Sequence, residues 1–278
     1  MRLVDSHGHV NADRFADDVE LVLGAARIAG VERILVPGWN HASSERALAL
    51  ADRYPWLDAA AGVHPHDAAK ATDSDWAAIE AWSRDERVVA IGETGLDSDR
   101  LFSPWDAQLE NLRRNLALAL ATGKPAILHC RSKVGDRDAQ DALLNELRVA
   151  GFEGEAVALA FRDQPPAVIH SFSGPVDYAR DVLAMGLAVS FSGLVFRAGE
   201  EPSAEVASLV PAGRLLVETD APFLTPRGAP RSRNEPAFVA LTAAWVAEHR
   251  GVPEEGLEAF GGGLVDAYDA TFGRGRSR

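Results

Sequence analysis

A single cysteine in 278 residues excludes an internal disulfide and every metal site built from several thiolates. No apolar run approaches the ~18 residues that a membrane-crossing helix needs, so no membrane partner is expected. Met1 to Asp5 meets an acidic residue too early for a signal-peptide core, and a cytoplasmic protein is the expectation. Positive charge is also scarce. The 28 basic and 41 acidic side chains leave a net charge of −13, which argues against a surface that wraps duplex nucleic acid. A locally positive mouth stays open. No Gly-x-Gly-x-x-Gly turn follows the first apolar run, and no Gly-x-Ser-x-Gly occurs anywhere. Dinucleotide binding on an open sheet and serine-hydrolase chemistry both lose their signatures. Metal chemistry has to be sought among the eight histidines.

What is present is a regular alternation. Short Val-, Ile-, Leu- and Ala-rich runs predict strands over Arg2–Asp5, Arg33–Pro37, Asp58–Val63, Val88–Gly92, Ala126–His129, Val168–His170, Leu187–Ser192 and Leu215–Glu218. Runs this short and apolar suit strands buried on both faces of a parallel sheet. Amphipathic stretches between them predict helices over Asp17–Ala29, Ser44–Tyr54, Asp75–Ser83, Ala139–Ala150, Val176–Met185, Ser203–Leu209 and Pro236–Arg250. Ser103-Pro104 reads as the cap and first position of a further helix ending at Gly123. Strand–helix units repeated in this way point to a (β/α)8 TIM barrel, with a doubly wound sheet as the alternative. No linker divides the chain, so one domain over residues 1–272 is expected, with 273–278 as a disordered tail.

In such a barrel the chemistry sits at the carboxyl ends of the strands. The residues there are His7 and His9 after the first strand, Glu93 after the fourth, His129 ending the fifth, His170 ending the sixth and Asp220 after the eighth. His7 and His9, two apart on an extended chain, face the same side. Any one of these is ordinary. Collected at one end of the barrel they are hard to explain by packing, because buried ionisable groups cost several kcal/mol unless paired or coordinated. Six N/O donors exceed what one ion with an open position can use. Two divalent ions sharing a carboxylate fit, at the ~3.5–4 Å spacing of hydrolytic two-metal sites. The donor types accept Zn, Mn or Mg. The chemistry such a pair favours is hydrolysis, most naturally of a phosphoester.

Seven motifs occur in the order in which they resemble the TatD family of metal-dependent deoxyribonucleases, in the amidohydrolase superfamily. They are His7-Gly8-His9, Gly62-Val63-His64-Pro65-His66, Gly92-Glu93-Thr94-Gly95-Leu96-Asp97, His129-Cys130-Arg131, His170-Ser171-Phe172-Ser173-Gly174, Glu218-Thr219-Asp220-Ala221-Pro222 and Arg233-Asn234-Glu235-Pro236. The resemblance implies a TIM barrel with two divalent cations and 3'-5' exonuclease activity on single-stranded or end-bound DNA. It implies that His7, His9 and Asp220 hold the first ion, that His129 and His170 hold the second, and that Glu93 bridges them. Asp220 would also orient or deprotonate the attacking water. His64 would contact substrate phosphate or stand behind the ligands, and Arg131 would contact phosphate. The superfamily often bridges its metals with a modified lysine; the strand-four motif here has a carboxylate and no lysine. Thr94, Cys130, the long 152–166 stretch and Gly261 to Asp266 depart from the family pattern.

Other residues read less sharply. Cys130 directly follows His129 and so faces the other side, as a small buried hydrophobe. The His64/His66 pair could form a rival metal site, although Pro65 and the lack of a nearby carboxylate favour a substrate role. Trp39 lies on the site's side and could stack on a base. Arg227, Arg231 and Arg233 form a basic patch after Asp220, either a solvated loop or a guide for phosphate, with Arg233 a candidate substrate contact. The partner expected is DNA or a small phosphoester, and a monomer is favoured. A hydrolase for a small amide, lactone or phosphotriester, and a non-catalytic barrel, remain alternatives.

Overall fold

The computed structural model describes residues 1–230 and 233–273. Arg231 and residues 274–278 of the expected tail lie outside them. Eight parallel strands form one sheet in chain order: β1 (Leu3–Asp5), β2 (Val31–Pro37), β3 (Leu57–Ala61), β4 (Val88–Asp97), β5 (Ala126–Arg131), β6 (Ala167–Ile169), β7 (Ala188–Phe191) and β8 (Leu215–Val217). The ring closes between β8 and β1, where the Ser6 N–H donates to the Val217 carbonyl at 3.0 Å. This is the expected (β/α)8 barrel. The strands are almost wholly buried.

The helices are α1 (Val19–Ile28), α2 (His41–Arg53), α3 (Asp73–Trp82), α4 (Trp105–Thr122), α5 (Asp138–Val149), α6 (Glu155–Phe161), α7 (Val176–Ala184), α8 (Pro202–Leu209), α9 (Val239–His249) and α10 (Leu257–Phe272). Those expected from periodicity are present within a few residues. Asn40 and Thr72 close capping boxes at the starts of α2 and α3. Ser103 is not the cap of α4: its hydroxyl donates to the His66 carbonyl and accepts from the Ala69 N–H, and Pro104 takes the cap position.

Two helices were not expected. α6 lies in the long 152–166 stretch. α10 contains Gly261-Gly262-Gly263, which lowers its helical propensity. Packing explains one of these glycines, because a Cβ on Gly261 would overlap the backbone of Arg2 leading into β1.

Strand β4 runs five residues beyond the expected end at Gly92 and pairs with β5 through Asp97↔Arg131. Gly95 makes this possible. Its φ is +135°, and a Cβ there would overlap the His129 carbonyl oxygen. This extension carries Glu93 and Asp97 alongside His129. Gly95→Ala is expected to lower stability by ~1–3 kcal/mol or more and to weaken cation binding, read by denaturant unfolding and metal titration. An unchanged unfolding midpoint would contradict the close approach.

Candidate metal centre

Backbone pairing at the β8–β1 seam sets the first half of the site. The Asp220 N–H donates to the His7 carbonyl and the His9 N–H to the Ala221 carbonyl, both at 2.8 Å. Buried Asp5 ties the same seam, accepting from the Thr219 N–H at 2.9 Å, the Thr219 hydroxyl at 2.5 Å and the His7 N–H at 3.2 Å. Burial pushes its carboxyl up to about 7 against those hydrogen bonds. Asp220 itself has φ +53°, a left-handed conformation that a short polar side chain tolerates.

The side chains converge. His7 Nε2 and His9 Nε2 lie 3.1 Å apart. Glu93 Oε2 is 3.3 Å from the first and 3.6 Å from the second, and Asp220 Oδ1 is 3.8 Å and 3.3 Å from them. The other oxygen of Glu93 faces a different set: His170 Nε2 at 2.8 Å, His64 Nε2 at 3.2 Å and His129 Nδ1 at 3.4 Å. His170 also stacks on His7 with ring centres 4.0 Å apart.

The donor set fits divalent cations. Two imidazole nitrogens facing each other at 3.1 Å place lone pairs in opposition unless a proton or cation lies between them. A tetrahedron with ~2.1 Å bonds has edges of about 3.4 Å, close to the separations around His7 and His9. His170 Nε2 is buried without a hydrogen-bond partner despite its nearness to Glu93. Nitrogen and oxygen donors without thiolate suit Zn or Mn.

A further layer orients these donors. Fully buried Asp97 accepts from His129 Nε2 at 3.2 Å and His66 Nε2 at 2.8 Å, so the His129 Nδ1 lone pair is aimed at Glu93. Its Oδ1 accepts the N–H groups of Asp99 and Arg100 at 3.0 and 2.7 Å. Glu218 Oε1 pairs with His170 Nδ1 at 3.2 Å, freeing Nε2.

Protonation follows this arrangement. Burial opposes charge on Glu93, yet the imidazoles of His64, His170 and His7 hold its carboxyl well below the usual range. Burial likewise opposes charge on His170, but Glu93 and Glu218 raise it well above its ordinary value. His64 is pushed down to about 4, chiefly by burial.

His7, His9, Glu93, His129, His170 and Asp220 are thus brought into one cage. His64, expected at the substrate or behind the ligands, also reaches Glu93. The carboxylates that sequence proximity did not supply for His64 and His66 come from β4. Arg131 stands two residues beyond His129, on the same side, half-exposed and paired with Asp99 at 2.8 Å. Arg233 is not brought to the cage. Its guanidinium holds both oxygens of Asp18, Glu235 and the Arg14 carbonyl and lies over the Phe15 ring.

Trp39 meets His9 at 5.2 Å between ring centres, with the Arg46 guanidinium 5.7 Å from its ring centre. Cys130 is buried, and burial pushes its thiol up to about 12, consistent with an inert hydrophobe. Reading by motif missed the roles of Asp97 and Glu218, although both stand inside the motifs as acidic residues on buried runs. No helix among the described residues is long and apolar enough to cross a membrane.

Comparison with known proteins agrees with this geometry. A family model described as TatD related DNase matches residues 4–260. A Bacillus subtilis protein named "Uncharacterized metal-dependent hydrolase YabD" is 38% identical over 247 residues, 88% of this chain and 90% of that protein. The protein named "3'-5' ssDNA/RNA exonuclease TatD" from Enterobacter lignolyticus is 38% identical over 250 residues, 87% of this chain and 89% of its own length. Among solved structures, the TatD homologue YjjV from Escherichia coli superposes with a TM-score of 0.84 at 28% identity, covering 98% of both chains.

Replacing Asp97 with Asn, or Glu218 with Gln, should weaken binding of Zn or Mn by ~10–100-fold while leaving the barrel folded. Titration calorimetry with circular dichroism reads both. Native affinity in both variants would contradict the orienting role.

Proposed function

The chain belongs to the family of TatD-related DNases, and on that premise we propose that it is a two-metal phosphoesterase cutting single-stranded or terminal nucleic acid in the 3'-5' direction. One observation carries the reading: the two oxygens of Glu93 face different imidazole sets, which is the arrangement a bridging ligand requires. His7, His9 and Asp220 would hold one cation and His129 and His170 the other, with Glu93 shared. His64 stands within donor reach of the second position and is placed to serve either that cation or a phosphate oxygen. Bound divalent cations would supply charge neutralisation at the phosphoryl group and acidification of water near neutral pH.

The protein's own groups do the rest. Asp220 Oδ1 lies beside His9, leaving its other oxygen to orient a water and accept its proton. The water oxygen bonds to phosphorus, the bond from phosphorus to the leaving sugar oxygen breaks, and that oxygen takes up the proton that Asp220 accepted. Arg131, at the half-exposed rim, pairs with a phosphate oxygen of the strand once it leaves Asp99. The net charge of −13 favours a short or end-bound strand over long duplex. All the donors come from one chain, so a monomer suffices.

Protein loaded with Zn, Mn or Mg should shorten labelled single-stranded oligonucleotides. Turnover confined to small esters or lactones would overturn the nuclease reading. Asp220→Asn should lower kcat by ~10²–10⁴-fold with a much smaller effect on KM. Losses shared equally between binding and turnover would count against its role in activating water.

A further inference from the structure

Among the described residues, only two Phe, Tyr or Trp side chains are exposed, Phe102 at 67% and Phe223 at 53%. Phe223 borders the cage directly, and Phe102 stands one residue behind it, against the His66 ring that Asp97 holds. The Phe102 ring meets the edge of His66 at 4.8 Å, and the Phe223 ring meets His9 at 6.1 Å. Phe102 follows β4 and Phe223 follows β8. Four strands apart in an eight-strand ring, they stand on opposite rims of the mouth.

Neither backbone is loose. The Phe223 N–H donates to the Asp220 carbonyl at 2.8 Å, and Asn234 Nδ2 donates to the Phe223 carbonyl at 2.6 Å. The Phe102 N–H donates to the Arg100 carbonyl at 2.9 Å, and the Arg100 N–H is held by Asp97. Two anchored loops therefore present apolar rings to solvent from the same runs that carry Asp220 and Asp97. An exposed aromatic ring beside such a cleft offers a face on which a base can stack. A ligand with anionic groups for the cage and flat apolar faces for the rings is a nucleotide strand. Trp39 is a poorer platform, being half-buried and accompanied by Arg46.

We propose that Phe102 and Phe223 are the two walls of a clamp that stacks the bases on either side of the reacting phosphodiester. The inference rests on the phosphoesterase reading and narrows its substrate to strands with unpaired ends. A base in duplex already stacks on its neighbours and must leave them before a ring can take its face.

The test uses Phe102→Ala, Phe223→Ala and the double variant, all at exposed positions. The probes are a fluorescein-labelled oligothymidylate and the same strand with tetrahydrofuran abasic residues in the terminal nucleotides. Binding is read by fluorescence anisotropy and cleavage by gel, with metal content measured for each variant. Each single variant should weaken oligothymidylate binding and raise its KM about tenfold, and the double variant more. Binding and cleavage of the abasic-ended strand, and metal content, should stay at the wild-type level.

Variants that keep the wild-type preference for the base-bearing strand would overturn the clamp. So would a wild-type dimer that separates in the double variant with oligothymidylate binding unchanged, which would assign the rings to a contact between two copies. Phe-dependent binding without cleavage of either strand by the wild type would uphold the clamp and refute the phosphoesterase reading, so the two fail separately.

Discussion

The buried carboxylate of Glu93, with imidazoles crowded against each of its oxygens, is the interaction on which the rest of the structure depends. Removing a carboxylate and five histidines from water is expensive, and their mutual attraction offsets that cost only when the geometry is close. Here the ring nitrogens approach Glu93 at 2.8–3.6 Å, and several face one another or stand without a hydrogen-bond partner. Hydrogen bonding alone leaves this group frustrated. Cations on both sides of the carboxylate, as proposed, would resolve it.

The barrel delivers these groups because its buried strands converge at one end, where most of the polar side chains they carry gather and Glu93 projects from within β4. Closure of β8 onto β1 brings Asp220 beside His7 and His9 across more than two hundred residues. The close approach of β4 and β5 at Gly95 sets Asp97 behind His129. Asp97 and Glu218 then fix which ring nitrogen of His129 and His170 faces inward. The orientation of the candidate donors is thus set by carboxylates standing behind them.

Much of this was legible in the sequence. Apolar runs that stop repeatedly at His, Glu or Asp reveal both the strand ends and the donors, because a parallel strand has no solvent face on which to hide polarity. What was missed has physical causes. Gly95 interrupts the apolar pattern, so β4 reads as ending at Gly92, and Asp97 looks like a loop residue. The glycines of α10 contradict its helical state, which tertiary packing on β1 overrides. Arg233 follows Asp220 closely in sequence, while the partner that holds it in the structure, Asp18, lies 215 positions away. Phe102 and Phe223 carry no periodic signal, and only the ring closure places them on opposite rims.

Anomalous scattering from crystals grown with zinc or manganese tests the central claim most directly. The account requires two peaks, one on each side of Glu93, the first among His7, His9 and Asp220 and the second between His129 and His170. A single peak away from Glu93, or none among these imidazoles under saturating metal, would contradict it.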